Sequence, residues 1–355
     1  MDTLKLNETP RRTSRNFNIN NIKLENIEIP TKLYPFKGLN ILNDTSKITV
    51  EELENSNLNL TYGVGLLNNN SNKNLKINID SKQNKDLVLD FKLDKDNLNL
   101  VDNIEIIANE ESKGTVIIKY SCRGRCPHRP VTHFHNATIK VDAKKDSNIN
   151  IIVVNLLNQV SNNFINIENT LEKNANVNYT IVDFGGKNSI SNYYSNIIGE
   201  NSSNNLNTIY LGTNDQLFDL NYIAELRGEK TNINIEVQGA LSDNSKKHFK
   251  GTIDFKKGSK KAKGNENESC MLLSDKAKSI ALPMLLCSEE DVEGNHSSSA
   301  GKIGNKELFY IMSRGFTEKE AMKLMVRAKF NSILENIKNE DLKNEIIEQI
   351  DLRLN

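Results

Sequence analysis

Thr231-Asn-Ile-Asn-Ile-Glu-Val237 places Ile233, Ile235 and Val237 at every second position, with a polar residue between them. Successive side chains of a strand point to opposite faces, so this is a strand with one buried face. The same beat runs outward from it. Upstream stand Leu75, Ile77 and Ile79; Leu87, Leu89, Phe91 and Leu93; Ile149 and Ile151; Phe164 and Ile167; Val177 and Tyr179; downstream come Ile253 and Phe255. Asn, Asp, Gly, Ser or Lys clusters separate these runs at intervals of roughly 10 to 15 residues, and no helical stripe intervenes. Residues 74–255 are therefore all β.

Sandwich, barrel and parallel β-solenoid share that pattern. Three features favour the solenoid: the helix-free length, turns rich in Asn, and the near absence of Asn-Gly or Asp-Gly hairpin turns. The chain holds 55 asparagines. Asn tolerates the left-handed conformation and bonds its own backbone in turns, so a fold with many corners absorbs it. A solenoid needs its ends capped against edge pairing, which makes the ends natural sites for partners.

Near residue 305 the apolar period lengthens from 2 to 3.6. Lys306–Ser313 reads as a short helix stopped at Gly315. Thr317 and Glu320 form a capping box that opens a second helix, along which Met322, Val326, Phe330, Ile333 and Ile337 make one apolar stripe, either core or a docking face. Leu342, Ile346 and Ile350 repeat the pattern in a third helix. The expected organisation is an extended arm over 1–45, broken by Pro10, Pro30 and Pro35, a parallel β-helix over 46–303, and a helical appendage over 304–355.

The 46 Lys plus Arg balance the 46 Asp plus Glu. That removes the bulk attraction expected of a partner to nucleic acid or an anionic membrane. No apolar run approaches the roughly 18 to 20 residues that span a bilayer. Met1 to Asn20 lacks the apolar centre that would make Arg11-Arg12 an export signal, so a cytoplasmic location is expected, with the four cysteines as thiols.

The densest chemical cluster is Cys122-Arg-Gly-Arg-Cys126-Pro-His128-Arg-Pro-Val-Thr-His133-Phe-His135. Thiolate and imidazole are zinc and iron ligands, and His133 and His135 at i and i+2 on a strand would share a face. Against a metal, Cys-x3-Cys is not the usual knuckle, and Arg123, Arg125 and Arg129 repel cations. A surface loop and an anion or partner contact stay open beside the metal reading. Cys287, in the apolar run Leu282 to Cys287, reads as core. His296 follows Glu289, Glu290, Asp291 and Glu293, carboxylates that favour its charged form. The Lys-rich stretch Lys246 to Lys263 reads mostly as the solvent side of strands. No phosphate-binding glycine loop, nucleophile elbow or helical His-Glu-x-x-His is present.

His248-Phe-Lys-Gly-Thr-Ile-Asp-Phe255, then Cys270-Met-Leu-Leu-Ser-Asp275, Pro283, Glu290-Asp-Val292, His296 and Leu308-Phe-Tyr-Ile-Met-Ser-Arg-Gly-Phe-Thr-Glu-Lys-Glu-Ala321 resemble the C-terminal half of the SufB/SufD family of the SUF iron–sulfur cluster assembly machinery. The resemblance covers about residues 245 to 335. It implies a parallel β-helix flanked by helices. The short chain, the spacing from Leu-Leu-Ser to Pro283 and the lack of Glu after His296 look more like SufD than SufB. What it implies is a non-catalytic subunit that pairs with a SufB-like homologue and binds no nucleotide itself. A SufC-like ATPase would dock on the C-terminal helices, through Met322, Val326, Phe330 and Ile333. His296 matches the family histidine thought to help a SufB cysteine hold a transient iron–sulfur cluster at the subunit contact. Gly294 stands where many SufD sequences have Cys, and Cys270 falls near a cluster-related cysteine of SufB. The alternative is a SufB-type autonomous scaffold, a homodimer using Cys122, Cys126, Cys270 and His296.

Overall fold

In the computed structural model, which describes residues 3–10, 19–43, 47–63, 66, 70–82, 85–122 and 131–355, short strands coil into a stack of rungs. β1 (Thr3–Leu6) and β2 (Ile22–Glu25) form a small antiparallel pair; β3 (Leu39–Leu42) and β4 (Ile48–Glu52) follow. Then come β5 (Lys73–Ile79), β6 (Asp86–Leu93), β7 (Asn99–Ala108), β8 (Lys113–Cys122), β9 (Phe134–Ala143), β10 (Asn148–Leu156), β11 (Asn162–Leu171), β12 (Asn176–Asp183), β13 (Asn188–Ile197), β14 (Ser203–Gly212), β15 (Leu217–Leu226), β16 (Asn232–Leu241), β17 (Lys246–Phe255), β18 (Ala262–Leu272), β19 (Lys278–Cys287) and β20 (Val292–Lys302). From β5 onward even strands pair in parallel with even and odd with odd, giving two sheets and eight turns. This is the parallel β-solenoid that the alternation and the missing hairpin turns predict.

The core is the channel between the sheets, where Ile and Leu stack rung on rung: Val177 on Ile149, Ile235 on Leu206, Ile253 on Ala224. Phe164 and Ile167 stand on opposite faces, Ile167 inside and Phe164 outside beneath the β1–β2 arm. Among the described residues, six of the eleven non-glycine residues with positive φ are asparagines, including Asn174, Asn201 and Asn214 at rung corners, in line with the corner-tolerance of Asn. Asn has a second use on the outer face. There Asn178 Nδ2 donates to Asn150 Oδ1 (3.2 Å), and Asn205 Nδ2 to Asn178 Oδ1 (2.8 Å), so each amide satisfies the next.

The ends differ. β3, four residues long, pairs antiparallel with β6, and β4, five residues long, with β5, so the first rung is overlaid by two short antiparallel strands. Among the described residues no strand pairs with the outer edge of β19 or β20.

Three helices follow: α1 (Asn305–Met312), α2 (Glu318–Leu334) and α3 (Glu340–Arg353). Gly315, at φ +97°, ends the first segment. The capping box forms: Thr317 N donates to Glu320 Oε2 (2.7 Å) and Glu320 N to Thr317 Oγ1 (3.3 Å). The α2 stripe is core. Val326, Phe330 and Ile333, with Leu342, Ile346 and Ile350 of α3, are buried against Val154, Val182, Phe184, Ile209 and Leu211 on the outer face of the even-numbered sheet. The docking assignment of Val326, Phe330 and Ile333 is therefore corrected, since those side chains already cover this chain's own apolar surface; Met322 is half-buried beside them. The exposed apolar side chains of this region lie elsewhere, at Phe309, Tyr310 and Met312 of α1, which buries none of its residues, and at Phe316 and Leu324.

Candidate functional site at the terminal rung

Alternate residues of β18, from Ala262 through Gly264, Glu266, Glu268 and Cys270, are buried, so this parity faces the channel. Following one ladder toward the open end gives Leu206, Ile235, Glu266 and His296. The aliphatic core thus turns polar over the last two rungs. His296 is exposed because its rung is the last.

Behind it lies a buried ion pair. Lys247, fully buried on β17, places Nζ 2.7 Å from Glu268 Oε1 and over the rings of Tyr210 and Phe249. Ser298 Oγ, on β20, donates to Glu268 Oε2 (2.8 Å), and Tyr210 OH donates to Oε1 (3.3 Å). Glu268 is thereby neutralised and hydrogen-bonded on both oxygens.

Glu266 is different. It is 1% exposed, and neither carboxyl oxygen has a hydrogen-bond partner among the described residues. Its carboxyl lies over Gly251, where an added Cβ would come within 2.0 Å of Oε2, so only glycine there makes room for it. Burial, and then the charge of Glu268, push its pKa up to about 8. Cys270 is also buried, and burial pushes its thiol up against the opposing pull of Tyr210 and Lys247. It faces Ala300 of the last rung.

Cys287 is exposed, not core. It closes β19, the final strand of its sheet, so no further rung covers it; its Sγ donates to the Glu289 carbonyl (3.1 Å). The Lys-rich stretch is also only partly a solvent face. Lys247 is inside the channel, and Lys250 is buried beneath the arm, 2.6 Å from Asp219 Oδ1 and donating to the Asn7 carbonyl (2.9 Å).

At the other end of the chemical inventory, Cys126 and His128 lie outside the described residues. Cys122 is half-buried at the end of β8, its thiol pushed up by burial. His133 precedes β9 and is buried, which lowers its pKa. His135 is fully buried with both ring nitrogens engaged, Nδ1 with Asn163 Oδ1 (2.6 Å) and Nε2 with Asp102 Oδ1 (3.1 Å), Asp102 also accepting from Tyr120 OH (2.8 Å). With both ring nitrogens hydrogen-bonded inside the core, His135 presents neither to a metal, which corrects its ligand assignment. Among the described residues no group of three or more His, Cys, Asp or Glu is arranged to hold a metal ion. Nor does any helix among them have the length and apolarity to cross a membrane.

Comparison with known proteins places the chain in a family. The chain is 34% identical over 168 residues to an iron–sulfur cluster assembly SufBD family protein of Pyrococcus horikoshii, a match spanning 46% of this chain and 36% of the relative. It is 26% identical over 165 residues to the iron–sulfur cluster assembly protein SufD of Bacillus subtilis (46% and 38%). With SufD of Escherichia coli it shares 22% over 222 residues (62% and 52%). The chain spans about half the length, or less, of these curated relatives. Residues 91–329, well over half of the chain, match the family described as "SUF system FeS cluster assembly, SufBD core domain". With that match lying across a parallel solenoid, the chain belongs to the SufBD core-domain family of the SUF iron–sulfur cluster assembly system.

Proposed function

We propose that this chain is a SufD-like, non-catalytic scaffold subunit: its open rung pairs with a SufB-like homologue, and the exposed face of α1 engages a SufC-like ATPase. One observation carries the reading. The first rung ends in the short antiparallel β3 and β4 (four and five residues), the last in the long parallel β19 and β20 (ten and eleven residues), and that last, open rung presents His296. Free strand edges on β19 and β20 offer backbone N–H and C=O groups for a partner strand to pair with.

The nascent cluster is cargo in this scheme. His296 holds an imidazole at the subunit contact, where it adds one nitrogen donor to thiolates supplied from the facing subunit. Gly294, on the same face, lies against the Phe255 ring and Leu285. Cys270 sits one rung behind, its buried thiol kept protonated, and does not reach the contact as a thiolate. Phe309, Tyr310, Met312 and Phe316 form the surface through which motion of an ATPase would reach the terminal rung, since α1 follows β20 after only Ile303 and Gly304.

Co-expression with a SufB-like and a SufC-like subunit tests both contacts. Ala300→Lys, on the open rung, is expected to release the SufB-like subunit and keep the ATPase; Phe309→Glu with Tyr310→Lys is expected to do the reverse. Retention of both partners by both variants refutes the reading, and so does a stoichiometric cluster on a homodimer of this chain after anaerobic reconstitution.

A further inference from the structure

Glu266 is a carboxyl with nothing to bond, buried where its ladder otherwise uses Leu206 and Ile235. Burying a polar group without a partner is unfavourable, and an aliphatic side chain would fill the same position at no such cost. The backbone nevertheless accommodates it through Gly251. Glu268, two residues on and facing the same way, shows what a purely structural acid looks like here: it is paired with Lys247 and bonded by Ser298 and Tyr210. Glu266, unlike Glu268, thus has donor capacity in reserve. Its register partner toward the open end is His296, on the neighbouring parallel strand about 4.8 Å away, with both side chains on the channel face. Engaging that imidazole requires the carboxyl to turn about its side-chain bonds away from Gly251.

Resting on the assignment of the open rung as the place where cargo is held, we propose that Glu266 and His296 form a two-donor half-site for a divalent cation of the iron(II) or zinc(II) class. One carboxylate oxygen and one imidazole nitrogen suit such borderline ions. Two donors are too few for a closed site. Water or a facing subunit completes the sphere. Glu266 differs from His296 in reach: it binds from inside the channel, so the ion is held against the end of the stack rather than at its rim.

Cobalt(II) serves as the probe, added anaerobically to the purified full-length chain and followed by its visible absorption and by equilibrium dialysis. The wild type is expected to bind about one ion with an absorption band that changes in both Glu266→Gln and His296→Ala, each binding at least tenfold more weakly. Glu266→Leu is expected to lose the ion as well while melting no lower than wild type, which separates ligand loss from misfolding. Asp275→Asn, altering a surface acid on the adjoining loop, is expected to bind as wild type. Unchanged affinity and spectrum in Glu266→Gln and Glu266→Leu overturn the proposal, as does a wild-type chain that binds no cobalt. If those results come with intact capture of the SufB-like subunit, the half-site alone falls; lost capture with intact cobalt binding sinks the subunit reading instead.

Discussion

Phe330→Ala tests whether the C-terminal helices are part of the β stack or a separate handle. Phe330 is fully buried, its ring 6.2 Å from that of Phe184 at an interplanar angle of 27°, among Val326, Ile333 and the outer-face residues Val182 and Ile209. Truncating a buried Phe costs about 3–5 kcal/mol, of which the ring pair accounts for about 1. This apolar layer is what joins α2 and α3 to the sheet, so the loss should appear as local opening of the two helices before the rungs unfold. Hydrogen exchange resolved along the chain is the assay. Amides of α2 and α3 should lose about 4 kcal/mol of protection while those of β10 to β16 keep theirs, and Leu324→Ala, on the exposed side, should change protection by less than about 0.5 kcal/mol. Undiminished helix protection in Phe330→Ala, accompanied by loss of a co-purifying ATPase, would refute the core assignment and restore the stripe as a docking face.

Further outcomes follow from the channel and the arm. Lys247→Ala strands the Glu268 charge in the channel and should destabilise by about 3–5 kcal/mol in urea melts, whereas Lys247→Met with Glu268→Leu should lie close to wild type; equal losses would show that the pair is not the source of the penalty. Glu266 is held well above the ordinary carboxyl range when folded, so the folded chain retains a proton that the unfolded chain gives up. Its contribution to stability is therefore present at low pH and lost as pH rises toward about 8. The stability of Glu266→Gln relative to wild type should accordingly grow by about 1.4 kcal/mol per pH unit between pH 5 and 8, and a flat difference in urea melts across that range contradicts it. Asn7, at φ +58°, donates from Nδ2 to Asp219 Oδ1 (2.5 Å) and to the Ser191 carbonyl (3.0 Å), and accepts from Asn192 (3.0 Å). Asn7→Ala should loosen the arm by about 2 kcal/mol and speed limited proteolysis there; unaltered cleavage counts against a pinning role.

The channel was legible because its parity never breaks. Ile233, Ile235 and Val237 announce one face, and the same beat carried through Phe249, Ile253 and Phe255 places Lys247 on the inward side. Charge made that lysine look like a surface residue; its neighbours' phase pointed the other way. Gly264, Glu266, Glu268 and Cys270 likewise keep step, alternating with Lys263, Asn265, Asn267 and Ser269. A polar residue kept in apolar phase was the available signal of a site, and it was hidden by reading composition before periodicity. The α2 stripe shows the converse limit: spacing reveals an apolar face but not what covers it, because the covering surface, Val154 to Leu211, is more than a hundred residues away in sequence. The burial of Lys250 depended in the same way on Asn7, and the exposure of Cys287 on where the stack stops. Long-range placement decides each of these, and no local pattern encodes it.

The unequal ends have a consequence for assembly. A rod whose two mouths were alike could add copies at either side and grow into a fibre, as unpaired β edges tend to do. Here one mouth ends in the short antiparallel β3 and β4 and the other in the long parallel β19 and β20, so the two do not offer the same edge. If the last rung is where a homologous subunit docks, as proposed, two such mouths meeting would enclose a space that neither rod possesses by itself.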